Sequence, residues 1–585
     1  MEQSAPHAAR TVPGATGRWQ GAGAALALAA ALLVPAAQAA AAPPQASGNH
    51  GLASGLNRVR PPVAHRVVLS PNGSVVLGQL PPPRRRPAGP GYVPAFLPRH
   101  PGHYRTFKDF RHRHTAPSTL PLQVTSPAVA SSVYGSGGSG SSTQSSGTAD
   151  VLMSLNQQVA LLGSGQTRVP PDTQVAAGPT DLMELDNATG SVWTKSGTLV
   201  SSFSLDRFFG VPAEDAGMGA FDPRVLYDAA SGRWFASASA TDPTNTYNQV
   251  FVAVSQTSDP TGAWTVYTIE SNAYGTLYDQ PMIGVSGNKV VLSWNDFSYG
   301  YFLGQETWVL QKSDLLAGGA AAGVDFGPDA SRFRLVPALE SGTNTAYLVY
   351  NNSDPYNLVE NTGYPALGVV AITGTPAQGN VSWNEWDPAM APTSVPPSAI
   401  QPGGGPGITT DDDRLLSAVW QNGVLWTAGN DACTPQGAGS TQSCLRLIQV
   451  STAEGGATIL QDFDVSAPGV SMYYPAVGLD GSGNLFVAFS QSSASLFASV
   501  AALVRLAGAA PDTIGPVQVV EPGQGVYCGF DCSGGAGTNR WGDYSAVSVD
   551  PSNPSQVWVA GEYAASSTSQ GDWGTAAQAL TASAG

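Results

Sequence analysis

From about residue 150 to the C terminus, apolar runs of four to eight residues alternate with turns rich in Gly, Asn, Asp and Ser. No segment keeps an apolar position every 3.6 residues, so the pattern predicts strands throughout and no long amphipathic helix. A unit recurs in which a polar or acidic residue leads into an apolar strand, a turn follows, and a second strand ends in small or aromatic residues. Its leading segments are Pro171–Val175, Phe221–Val225, Tyr278–Met282, Arg332–Val336, Asp412–Leu416, Tyr473–Val477 and Trp541–Ser545. Seven units, spaced about 50 to 80 residues apart, predict an all-β fold: a β-propeller of seven four-stranded blades, with six blades or a pair of β-sandwiches as alternatives. Closure of the ring is expected from Val151–Leu162 pairing with the last blade, whose strands include Gln556–Glu562 and Thr575–Leu580. Hairpin turns are marked by Asp228–Gly232, Gln421–Gly423 and Leu479–Asn484. The Asp480 loop has oxygens at alternate positions but lacks the distal Glu of an EF-hand, so it reads as a turn.

The N-terminal part breaks this pattern. Arg10 and Arg18 precede an apolar run, Ala22 to Ala37, and Ala37-Gln38-Ala39 has the small-x-small form of a cleavage site. Residues 1–39 therefore read as a signal peptide, which predicts a secreted or envelope-associated protein without a transmembrane segment in the mature chain. Residues 40–130, rich in Pro, Arg and His, read as a disordered tether; 131–149 read as a Ser/Gly linker; 150–585 form the propeller domain, expected to be a monomer. Charge divides at the same place: residues 1–120 carry 13 Lys+Arg against two acids, leaving 13 against 39 for the rest. So acidic a body is not expected to bind nucleic acid, because phosphate affinity is assembled from many Lys and Arg.

The four cysteines, Cys433, Cys444, Cys528 and Cys532, fall into two local pairs, which an exported protein is expected to close as disulfides. All seven histidines lie at or before His114. The body from 150 onward thus has no histidine for Ser-His-Asp or Cys-His catalysis or for His-ligated metal, and no cofactor is required. Gly403-Gly404-Gly405-Pro406-Gly407 lacks the Lys and following helix of a phosphate loop.

What is left is carboxylate, Arg and Tyr chemistry. In a propeller the innermost strand of each blade lines the central channel, so the leading segments gather Asp172, Asp222, Asp279, Asp412, Asp413 and Asp543 at one rim with Arg224, Arg334, Arg414, Arg540, Tyr278, Tyr474 and Tyr544. Glycoside hydrolysis needs two carboxyl groups, one protonated and one ionised. Asp222, Asp279 and Asp543 are the candidates for that pair, with Tyr474 and Tyr544 beside them. Arg224, Arg334, Arg414 and Arg540 are candidates to hold a sugar carboxylate, and Trp294, Trp308 and Trp541 to stack on sugar rings. Asp411, Asp412 and Asp413 are weaker candidates for Ca2+. An Asp repeated in blade after blade also suits a purely structural use, accepting backbone N–H groups in a turn. The reading is a carbohydrate-active propeller, a glycoside hydrolase acting on an extracellular polysaccharide or cell-wall polymer. A non-catalytic cell-surface binding or adhesion propeller is the alternative, and a lyase with a Tyr base a third.

The runs Phe221–Asp228 with Arg233-Trp234-Phe235, Ala253–Pro260 with Trp264, and Arg540–Tyr544 with Trp573-Gly574-Thr575 resemble a largely uncharacterised group of secreted bacterial propellers of the sialidase-like superfamily. The resemblance spans about 165 to 580 and implies the propeller. The Ser-x-Asp-x-Gly-x-Thr-Trp turns of catalytic sialidases are absent; Thr261-Gly262-Ala263-Trp264 is a faint echo.

Overall fold

The computed structural model describes residues 61–80, 144–145 and 170–582, the last apart from 188, 212–218, 242–247, 271–275, 299–300, 353–364, 405–406, 528–538 and 566–572. Residues 1–39, read as a signal peptide, the remainder of the spans read as tether and linker, Val151–Leu162, Cys528 and Cys532 lie outside the described residues.

Seven antiparallel sheets follow one another along the chain. Blade 1 holds Gln174–Ala177, Asp181–Asp186, Thr189–Thr194 and Leu199–Ser204; blade 2, Gly219–Asp228, Arg233–Thr241, Asn248–Ser255 and Ala263–Glu270; blade 3, Thr276–Val285, Lys289–Ser298, Tyr301–Gln311 and Ala321–Asp329. Blade 4 holds Val336–Pro337, Ala346–Asn351, Leu367–Thr373 and Ser382–Trp386; blade 5, Leu415–Gln421, Val424–Cys433, Gln442–Ser451 and Thr458–Val465, with Leu339–Ser341 lying parallel to its first strand. Blade 6 holds Val470–Leu479, Leu485–Ser493, Ser499–Arg505 and Gln518–Glu521; blade 7, Ala546–Val549, Gln556–Ala564 and Trp573–Ala582. The first strand of each blade is innermost, and all seven contribute to the lining of one central channel.

Strands buried on both faces explain why the sequence reads as near-continuous apolar and small-residue runs rather than clean alternation. Arg233–Thr241, RWFASASAT, is buried over all but its first residue. Apolar clusters fill the gaps between neighbouring blades: Met183, Leu185, Trp234, Phe251 and Trp264 between blades 1 and 2, Val419, Leu447, Met472 and Phe489 between blades 5 and 6, and Val175, Leu182, Trp558 and Ala579 between blades 7 and 1. Burying each large side chain is worth about 1.5–3 kcal/mol. Gly178 serves this packing, because a Cβ there would lie 2.2 Å from the Trp234 ring.

Two N-terminal segments depart from expectation. Gln144–Ser145, within the span read as linker, supplies the outer fourth strand of blade 7 by pairing with Thr581 and Ala582. Within the span read as tether, Ala64–Leu69 pairs with Ala321–Phe326 of blade 3 and Pro71–Val76 with Ala263–Tyr267 of blade 2. These strands cap two sheet edges and bury Leu69 and Leu77. A segment too polar to fold alone can be ordered by ready-made edges whose N–H and C=O groups await partners. It also places one histidine, His65, on the folded body opposite Asp325.

Cys433 and Cys444 form a disulfide between the second and third strands of blade 5. Among the described residues no helix is long and apolar enough to cross a membrane.

Candidate functional site

The inner strands of blades 1 to 6 are approached through a sharp local twist of the backbone. Asp172, Asp222, Gln280, Arg334, Asp411 and Tyr474 all have φ between 49° and 58°, in the left-handed region that non-glycine residues rarely occupy. In blades 2, 3 and 6 the twisted residue is followed by Pro223, Pro281 or Pro475 and sits in a bulge where pairing with the second strand skips. Bulges of this kind re-aim side chains at the rim of a barrel or ring. In blade 3 the twisted position is Gln280, so Asp279 stands one residue out of step with Asp222 and does not repeat its role.

A belt of side-chain hydrogen bonds ties these positions from blade to blade. The Asp222 N–H donates to Asn187 Oδ1 (2.9 Å), Gln280 N–H to Asp222 Oδ2 (3.1 Å), Arg334 N–H to Asn295 Oδ1 (3.1 Å) and Tyr474 N–H to Asn430 Oδ1 (2.7 Å). Asn351 Nδ2 donates to the Asp413 carbonyl (2.9 Å), Trp541 Nε1 to Ser490 Oγ (3.0 Å), and Asp543 N–H to Asp172 Oδ1 (2.8 Å). Asn187, Asn295, Asn430 and Gln280 escaped the reading of the sequence. Their only signal is an Asn or Ser recurring about one hairpin after each leading segment.

Inside the belt, Gln280 is the hub. Its Oε1 accepts from Arg414 Nη1 (2.6 Å) and from Arg334 Nη1, and its Nε2 donates to Asp543 Oδ2 (3.3 Å). Arg540 clamps Asp543 through both oxygens, its Nη2 lying 2.5 Å from Oδ2. Arg414 clamps Asp412 the same way, at 2.6 Å and 2.6 Å, and reaches Asp411 at 3.3 Å. Asp279 lies within the fields of Arg414, Asp543, Arg334 and Arg540 and is partly exposed; among the described residues it has no hydrogen-bond partner.

The carboxyl groups are held in different protonation states. Burial raises Asp279 to about 6 against the opposing pull of Arg414, and burial, with help from Asp279 and Asp543, raises Asp222 to about 7. Burial also raises Asp172 well above the carboxylate range, and the Asp172 and Asp222 carboxyls hydrogen-bond each other. At Asp543 burial is outweighed by the Arg540 guanidinium, backed by Arg414 and Arg334, and its pKa falls below the usual value. One site thus joins a carboxyl that keeps its proton to near neutrality and a carboxylate that gives its proton up readily, the pattern of an acid/base pair.

Several expected members stand elsewhere. Trp541 is fully buried, edge-on to Tyr527 with ring centres 4.6 Å apart, and Trp294 is 2% exposed, so neither presents a face to a sugar ring. Trp308 is half-buried against Trp294. Tyr474 is buried, its hydroxyl donating to the Thr409 carbonyl at 3.3 Å, and burial pushes the Tyr544 phenol far above its ordinary value. Arg224 faces down the central channel, stacked on Tyr544 with its guanidinium carbon 3.6 Å from the ring centre. Asp411, Asp412 and Asp413 do not gather around a common point: Asp412 is engaged by Arg414, and Asp413 Oδ2 accepts from Thr393 at 2.7 Å. Among the described residues no set of three His, Cys, Asp or Glu has the arrangement to hold a metal ion. Asp480 accepts from the N–H groups of Ser482 and Asn484, the expected turn.

The chain matches no family model and no curated protein. Among solved structures it is similar to a protein of unknown function from Dyadobacter fermentans, at 10% identity over 63% of this chain and 95% of that one, TM-score 0.35. It is also similar to the GH93 alpha-L-arabinofuranosidase of Fusarium graminearum, at 13% identity over 57% and 92%, TM-score 0.32. A sialidase of Trypanosoma rangeli is matched at 11% identity over 66% of this chain and 57% of its own length, TM-score 0.32. The seven-bladed ring itself stands on this chain's own sheets.

Proposed function

We propose that this protein is a secreted carbohydrate-active propeller of the glycoside hydrolase type, working at the mouth of its channel on an extracellular polysaccharide. The observation that carries this reading is the unpartnered, partly exposed Asp279 carboxyl, its pKa raised to about 6, in one site with the ionised, Arg540-clamped Asp543. Asp279 donates its proton to the glycosidic oxygen as the bond to the sugar carbon breaks. Asp543, held negative, offsets the positive charge that develops on the ring, and water adds to the sugar carbon, giving its proton to the Asp279 carboxylate left by the first step. An Arg-clamped carboxylate is a weak nucleophile, so Asp543 suits charge stabilisation better than covalent attack. Asp222, engaged by Asp172 and by the Gln280 N–H, holds the belt and orients Gln280 rather than touching substrate.

The test is release of reducing ends from a panel of plant and bacterial glycans by the full-length secreted protein, beside Asp279→Asn and Asp543→Asn. Turnover by the wild type that falls at least ~100-fold in each variant supports the assignment. Turnover unchanged in both variants overturns it, and retention of a glycan without release points to a cell-surface binding propeller instead.

A further inference from the structure

Buried arginines in this protein are, as a rule, matched by carboxylates: Arg332 by Glu385, Arg414 by Asp412, Arg446 by Asp462 and Arg540 by Asp543. Arg505 is buried without a carboxylate too but gives its Nη donors to Gln461 and to the Leu506, Ala509 and Ala510 carbonyls; Arg224 and Arg334 break the rule more sharply. They are 7% and 2% exposed, and among the described residues neither has a carboxylate within ion-pair distance, while Nε and Nη2 of both guanidinium groups lack a hydrogen-bond partner. Both approach the same ring, Tyr544, at 3.6 Å and 5.7 Å from guanidinium carbon to ring centre. The aromatic face offsets part of the charge but accepts no N–H in the guanidinium plane. Leaving charged donors unpaired away from water is among the costlier arrangements a protein can hold.

Arg224 and Tyr544 line the central channel below the carboxylate site, where Gln174, Ser417 and Ser545 are the other polar residues in a wall otherwise made largely of Val, Leu, Ile, Met, Ala and Pro. Asp222, the carboxyl nearest in charge to Arg224, is already bound by the Gln280 N–H and by Asp172. We propose that the central channel binds a small monovalent anion, a halide or the carboxylate of a small organic acid, between Arg224 and Arg334 against Tyr544. Two guanidinium edges offer in-plane donors that match such an ion, and the apolar wall below favours one small and weakly hydrated. The charge of Arg334 beside Arg224 points the same way, since burial and then Arg334 disfavour the protonated form of Arg224. Through the Arg334 Nη1 contact to Gln280, the ion also helps to fix the hub that holds Asp543.

The experiment follows thermal unfolding of the full-length protein in sodium chloride, sodium acetate and sodium gluconate at one ionic strength. A saturable rise of about 2 °C or more in chloride or acetate, absent in bulky gluconate, is expected, and the responding salt tells a halide from a carboxylate ligand. The response is lost in Arg224→Met and in Arg334→Met and kept in Asp279→Asn, so it stands or falls apart from hydrolysis. Broadening of the chloride NMR line by wild-type protein, reversed by excess acetate, gives a reading that needs no variant to fold. Equal midpoints in the three salts together with an unbroadened line overturn the proposal, as does a rise that survives in both arginine variants.

Discussion

The backbone N–H of Asp543 in blade 7 donates to Oδ1 of Asp172 in blade 1 at 2.8 Å, joining residues 371 apart in the chain. The other oxygen of Asp172 accepts from Asn187 Nδ2 at 2.6 Å, so one side chain spans the place where the ring closes. Asp172→Ala leaves two buried donors unpaired and puts a Cβ-bearing residue without a polar tip at φ 51°. Urea unfolding is expected to show a loss on the order of 3 kcal/mol, with Asp172→Asn clearly milder.

Turnover is expected to depend on pH through Asp279. The acid must be protonated to act, so kcat/KM falls as pH rises through about 6. Below neutrality Asp543 stays ionised, because Arg540 depresses its pKa. An activity profile that climbs from pH 6 to 8 excludes Asp279 as the acid.

Stability should follow the same carboxyls in an unusual direction. Asp222 and Asp431 are raised to about 7 and Asp279 and Asp411 to about 6, each chiefly by burial. A carboxyl whose folded pKa lies above its unfolded value binds its proton more tightly in the native state. Its contribution is fully present below about pH 4 and is lost as pH rises through 6 to 7. Melting temperatures at fixed salt should therefore decline between pH 5 and 8; a rise over that window contradicts the burial of these groups in protonated form.

Removing residues 61–80 uncovers the outer edges of blades 2 and 3 and takes away buried Leu69 and Leu77. The deletion is expected to lower the melting temperature and to promote self-association through the freed edges, read by light scattering. A monomer of unchanged melting temperature would show the added strands to be dispensable.

Glu385 in blade 4 receives Arg332 at 2.7 Å, the Tyr350 hydroxyl at 2.6 Å and Trp383 Nε1 at 2.8 Å. Glu385→Ala takes the acceptors from Arg332 Nε and Nη2, Tyr350 and Trp383 and leaves Asp329 to balance the guanidinium alone, and about 3 kcal/mol should be lost in denaturant unfolding. Replacing Arg332 and Glu385 together by apolar residues should recover much of that loss.

The propeller was legible because its cause is local. Strand length, turn residues such as Asp480-Gly481 and the recurrence of a leading segment are written in short windows, and every blade repeats them. The site was legible only in outline. Asp222, Asp279, Asp543, Arg334, Arg414 and Arg540 stand within one another's fields, yet sequence spacing could not tell that Asp279 and Asp222 sit one position out of register, because the bulge that separates them depends on backbone dihedrals. Trp541 looked like a platform for sugar for the same reason; its burial against Tyr527 is set by a neighbouring segment.

By itself the chain determined that short two-faced strands would stack into a ring with acidic and basic residues at one rim, because hydrophobic period and turn chemistry act over a few residues. Which carboxyl keeps its proton, which arginine is matched, and which N-terminal segments complete blades 2, 3 and 7 were decided only by tertiary structure. Those properties depend on desolvation and on charges contributed by distant strands, and no distance along the chain encodes either.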